Sequence, residues 1–110
     1  MKARDEQIEK IKAEILQALK DSGFSEAKII LFGSRARGED RQDSDWDFLI
    51  ILEPELSITE KRRIAHRIRK RLAEFYLASD VIVRSEAEVE ERKNVIGSVI
   101  KSALEEGFQI

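Results

Sequence analysis

Apolar residues change their spacing several times along the chain, and each change marks an element. Ile8, Ile11, Ile15 and Leu19 recur every third or fourth position, the stripe of one helix face, and Asp21-Ser22-Gly23 ends that helix. From Ala27 to Phe32 the apolar residues run together, as in a strand. A polar stretch from Gly33 to Asp43 reads as a turn with a short helix. A second strand spans Asp45 to Leu52 and closes at Glu53-Pro54; it is apolar on both faces beyond its acidic start, which places it inside a sheet. Ser57-Ile58-Thr59-Glu60 reads as a capping box opening a helix with Ile64, Ile68, Leu72 and Phe75 on its inner face. Asp80 to Val83 is a third, β-branched strand. Ser85-Glu86-Ala87-Glu88 is a second capping box, leading into a helical segment whose apolar positions Ile96, Val99, Ile100, Ala103 and Leu104 carry through to Gly107. Helices alternating with strands imply an α/β sheet with helices packed against it, in a single domain over residues 1–110.

Composition narrows the class. At 42% hydrophobic the chain can bury one core, and at 38% charged it has a heavily solvated surface. Its net charge of −2 gives no global pull toward nucleic acid or membrane. With no cysteine there are no disulfides, thiolate nucleophiles or cysteine zinc sites. No apolar run reaches membrane-span length and the charged start carries no signal core, so a cytoplasmic protein is expected.

The chemistry concentrates between the first two strands. Gly33-Ser34 follows Ile29-Ile30-Leu31-Phe32, and Asp45-Trp46-Asp47 opens the second strand. In a strand Asp45 and Asp47 share a face with Cα atoms about 7 Å apart, while Trp46 points the other way. Two neighbouring carboxylates repel unless a cation lies between them, and Mg²⁺ favours carboxylates together with substrate phosphates. Gly33 lets backbone approach a phosphate, Ser34 adds a hydroxyl and an N–H, and Arg35 and Arg37 can neutralise phosphate charge. Gly-Ser alone is an ordinary turn and Asp-x-Asp alone is common; their order and spacing point to a nucleotide and metal site.

This run, Phe32-Gly33-Ser34-Arg35-Ala36-Arg37-Gly38…Ser44-Asp45-Trp46-Asp47, resembles the signature of the DNA polymerase beta-like nucleotidyltransferase superfamily, and within it the minimal nucleotidyltransferases, or MNT proteins. The resemblance implies a small mixed sheet of about three to four strands with a polymerase beta palm-like fold. It also implies a third carboxylate from a later strand, for which Asp80 is the candidate. Asp45, Asp47 and Asp80 would then be the catalytic, metal-binding set for two Mg²⁺ ions, with ATP as donor and Gly33, Ser34, Arg35 and Arg37 as nucleotide-binding residues.

Many MNT proteins are antitoxins paired with a helical HEPN toxin, so the resemblance implies a hetero-oligomer in which AMP is transferred to that partner. The residues after Asp47 all serve the core, so the acceptor site is expected to be shared with a partner. The alternatives are an antitoxin acting by binding alone and a transferase for a small molecule or RNA. RNA has one argument, the seven basic residues between Lys61 and Arg71, although a solvated outer helix face explains them better. His66 lacks a second ligand for a transition metal, and Trp46 and Tyr76 read as packing residues. Phe108 and Ile110 are apolar beyond Gly107, fit either to pack on the domain or to meet a partner.

Overall fold

The computed structural model describes residues 2–110. Its elements are α1 (Lys2–Asp21), β1 (Lys28–Phe32), α2 (Ser34–Arg37), β2 (Trp46–Leu52), α3 (Ile58–Ala73), β3 (Ser79–Ser85), α4 (Glu86–Arg92), α5 (Val99–Glu106) and β4 (Phe108–Gln109). The strands form one sheet in the order β3-β2-β1-β4. β1 runs antiparallel to both β2 and β4, whereas β2 and β3 are parallel and joined by the α3 crossover. The sheet is therefore mixed and flanked by helices. No helix among the described residues is long and apolar enough to cross a membrane.

Alternation along β2 splits the interior into two layers. Trp46, Phe48, Ile50 and Leu52 face α1 and α3, meeting Ile11, Ile15, Leu19, Ile64, Ile68 and Leu72 in the larger core. Leu49 and Ile51 face the other way, joining Ile30 and the α5 residue Ala103, with Ile82 and Val89 alongside. Both faces of β2 are thus covered, which explains its unbroken apolar run. The second layer is much thinner, and the Asp47 end of the sheet lies on that face.

Four expectations need correction. The helical segment after Ser85 is two helices, because Gly97 adopts φ +82° and the Ser98 hydroxyl accepts the Lys101 amide at 3.1 Å, starting α5 afresh. Ile96 falls in the break and is 92% exposed. Phe75 lies beyond α3 rather than on its buried face, beneath the Lys10 ammonium at 4.8 Å. Trp46 is buried, but Tyr76 is 96% exposed and held at φ +60°, the left-handed position that terminates α3. The Ser57 cap accepts the Glu60 amide, but the Glu60 carboxylate takes a bond from the Ser57 hydroxyl and leaves its amide, so only half of that box forms. At Ser85 the full box forms, with Glu88 returning to the Ser85 amide at 3.0 Å. The tail question is also resolved on the domain side: Phe108 and Gln109 pair with Leu31 and Ile30, and the Ile110 amide donates to the Ile29 carbonyl.

Candidate active site

The candidate carboxylates lie where β1 ends and β2 and β3 begin. Register sets Asp47 opposite Phe32 on one side and Asp80 on the other. Neighbouring strands lie about 4.8 Å apart, so Asp47 and Asp80 are side by side on the thinly covered face. Asp45 is one residue outside β2 and exposed; the bond from the Trp46 amide to the Ala78 carbonyl, 3.0 Å, holds its segment against the entry to β3. Asp80 is exposed and Asp47 half-buried.

Electrostatics follow from that placement. The Asp47 carboxyl is pushed above its ordinary value, first by burial and then by the charges of Asp80 and Asp45. Arg37 pulls the other way and Glu106 adds to the upward push. Among the described residues no group of three or more acidic, histidine or cysteine side chains is arranged to hold a metal ion. Carboxylate oxygens are the ligand type that hard divalent cations take, and Asp47 is the member of this set raised by burial as well as by its neighbours.

Gly33 is fitted to this cluster. It leaves β1 with φ +75° and caps α2, its carbonyl accepting the amides of Ala36 and Arg37. A Cβ there would lie 3.0 Å from the Asp47 Cγ and closer still to Oδ2. The Gly33-Ser34 turn and the Asp47 carboxylate are therefore in contact across the β1–β2 pair.

The two arginines of the motif separate. Arg35 turns to the Trp46 side of the sheet: its guanidinium donates to the Ser44 carbonyl at 2.9 Å and the Gln42 carbonyl at 3.2 Å, pairs with Asp40 at 3.1 Å, and lies 4.5 Å from the Trp46 ring centre. Its side chain pins the loop that delivers Asp45 and is committed away from the carboxylate face, where the sequence had suggested a phosphate ligand. Arg37 stays on the carboxylate side, bridged to Glu39 and to Glu106 of α5, each at 3.0 Å. Glu106 is the site neighbour that sequence reasoning missed. Nothing local marks it, since only the fold brings α5 back to α2.

A model of the nucleotidyltransferase domain family matches residues 8–107. No curated protein sequence matches at a significant level. Among solved structures the fold resembles one described as a minimal nucleotidyltransferase, with TM-score 0.57 and 24% identity over 93% of this chain and 94% of that one. It also resembles a chain of a toxin-antitoxin complex with AMP-PNP, with TM-score 0.57 and 19% identity over 88% of this chain and 69% of that one. A third similar chain comes from a complex of the tri-AMPylated Shewanella oneidensis HEPN toxin with its MNT antitoxin, with TM-score 0.50 and 16% identity over 90% of this chain and 70% of that one. With the family model spanning nearly all of it and the motif residues gathered at one end of the sheet, the chain belongs to the nucleotidyltransferase domain family.

Proposed function

We propose that the protein transfers AMP from ATP to a HEPN-type toxin and serves as that toxin's antitoxin. The observation that carries the catalytic half is the in-register placement of Asp47 and Asp80 with the Gly33 turn against Asp47. The partner half is supported by similarity in fold to chains from toxin-antitoxin complexes, one with AMP-PNP and one with an AMPylated HEPN toxin.

In this reading Asp45, Asp47 and Asp80 would hold two Mg²⁺ ions, which when bound would supply charge neutralisation for the triphosphate and pyrophosphate. The Gly33-Ser34 turn takes phosphate oxygens through its backbone amides and the Ser34 hydroxyl, and Arg37 adds positive charge beside them. The partner's hydroxyl attacks the α-phosphorus, the bond to pyrophosphate breaks, and the hydroxyl proton passes to a carboxylate of the cluster. Arg35 contributes by positioning, since it fixes the segment that carries Asp45. A partner-supplied acceptor hydroxyl would be held in line with the nucleotide by the complex.

The test is co-expression with a HEPN toxin and mass measurement of that toxin. Addition of AMP units by the wild type and none by Asp45→Asn/Asp47→Asn supports transfer. Neutralisation by that double variant equal to wild type, with no mass added, replaces the enzyme with an antitoxin that acts by binding. Calorimetric titration of the isolated chain with ATP tests the metal cluster; equal affinity with and without Mg²⁺ overturns it.

A further inference from the structure

We infer that the outer edge of β3 is a docking site for an extended, acidic polypeptide segment, separate from the carboxylate site and independent of the proposed reaction. β3 ends the sheet, and among the described residues no strand pairs with its outer side. α3 packs on one face of the sheet and α4 with α5 on the other, so the edge forms the floor of a groove of about 680 Å³.

The backbone shows which groups point outward there. The Val83 carbonyl accepts from Arg84 Nη1 at 2.8 Å, so it points away from β2. Outward and inward groups alternate along a strand, so the N–H and C=O of Val81 also face the groove. At the far end the Ser85 amide is taken by Glu88, which also pairs with Lys61 of α3 at 2.9 Å. The edge is thus closed at Ser85 and open at Val81, which suits the addition of a short strand.

The rims say what that strand carries. Arg62 and Arg69 of α3, Arg84 of β3 and Arg92 of α4 line the groove, and none of them forms an ion pair with another described residue. With Lys61 and Glu88 neutralising each other, Glu91 is the acidic residue left against four arginines. Ile58 and Val99, 63% and 41% exposed, add apolar surface on the two rims. A second copy paired edge to edge would set these arginines against their own counterparts, so like charge disfavours it. Nucleic acid would satisfy the arginines but would leave the backbone edge and the apolar rims unused. An acidic strand with alternating apolar residues meets all three features.

The experiment titrates the full chain with a dye-labelled, end-blocked peptide of alternating glutamate and valine, read by fluorescence anisotropy. Three comparison probes are the lysine-valine peptide, the glutamate-valine peptide N-methylated at every second residue, and oligouridine. The acidic peptide should bind at least about tenfold more tightly than the lysine peptide, and N-methylation should remove most of that affinity because it blocks ladder hydrogen bonds. Arg62→Glu with Arg69→Glu should weaken the acidic peptide about tenfold while the circular dichroism spectrum is unchanged. Bound peptide should also slow amide exchange at Val81 and Val83. No binding of the acidic peptide, equal binding of its N-methylated form, or tighter binding of oligouridine would each overturn the proposal, the last in favour of a nucleic-acid surface.

Discussion

Gly33 and Asp47 are in contact so close that a single added methyl group would displace the carboxylate. A Cβ on Gly33 falls 3.0 Å from the Asp47 Cγ, and the glycine already sits at φ +75°. Gly33→Ala should therefore lower nucleotide transfer on the order of a hundredfold, the cost of misplacing a reacting group by about an ångström. Gly38 has the same φ of +75° but nothing within 4 Å of its Cβ position. Gly38→Ala should cost about 1 kcal/mol of stability through backbone strain and leave transfer within a fewfold of wild type. Measuring both variants by melting and by transfer separates strain from collision; equal loss of transfer in the two would show that the Asp47 contact is not what matters.

Arg35 and Arg37 should fail in different ways. Arg35→Ala removes the bonds to the Ser44 and Gln42 carbonyls and the contact with the Trp46 ring, at a cost of about 1–3 kcal/mol. Arg37 is bound only to exposed partners, so Arg37→Ala should move stability by less than about 1 kcal/mol. Its effect should instead appear as a higher KM for the nucleotide at unchanged melting temperature. Thermal melts beside steady-state kinetics decide the matter, and a large melting shift for Arg37→Ala would contradict its assignment to phosphate.

What could be read from the sequence, and what could not, follows how far each signal reaches. β1 and β2 are evident because their central residues are buried on both faces and stay apolar without interruption. The Gly-Ser and Asp-x-Asp spacing marks the site because the strand pairing that joins its parts is itself local, with Phe32 beside Asp47. Asp80 is visible as an acid opening a β-branched strand, yet only the parallel register sets it opposite Asp47. The break at Gly97 is hidden because one glycine is tolerated in a helical pattern, and its φ of +82° shows only in the folded chain. β4 is two residues long, too short for any periodicity, and exists through its partner β1. Arg35 and Arg37 look alike in sequence; which one faces the carboxylates depends on the turn of α2.

Asp47 makes stability depend on pH in a definite direction. Its folded-state pKa is raised, by burial first and then by Asp80 and Asp45, so the protonated form is favoured by folding. That contribution is fully present below the ordinary carboxylate value and is lost as pH rises through the raised folded value. At neutral pH without metal, the ionised group therefore opposes folding. Asp47→Asn should raise the melting temperature of the metal-free protein at pH 7, and the gain should shrink to nothing as pH falls below about 4. Melting curves across that range are the check; a destabilised Asn variant at pH 7 would mean that Asp47 makes a stabilising contact outweighing the repulsion.

The C-terminal residues set fold against partner binding most sharply. As an apolar tail, Phe108 and Ile110 were candidates for a partner surface, and truncation after Gly107 would then spare the domain. Their pairing with β1 reverses that expectation. Removing residues 108–110 strips the ladder opposite Ile30 and Leu31 and the bond from the Ile110 amide to the Ile29 carbonyl, 2.9 Å. It also exposes an edge of the strand that ends at the Gly33 turn. The truncated chain should lose about 1–3 kcal/mol, tend to self-associate on size exclusion, and bind nucleotide less well because the turn loosens. Phe108→Ala keeps the backbone ladder and removes a ring that is 42% exposed, so it should cost less than about 1 kcal/mol. If truncation and Phe108→Ala destabilise equally, the side chain rather than the strand holds this edge. If neither changes melting while both weaken capture of a partner, the tail is an interface and β4 contributes nothing to the fold.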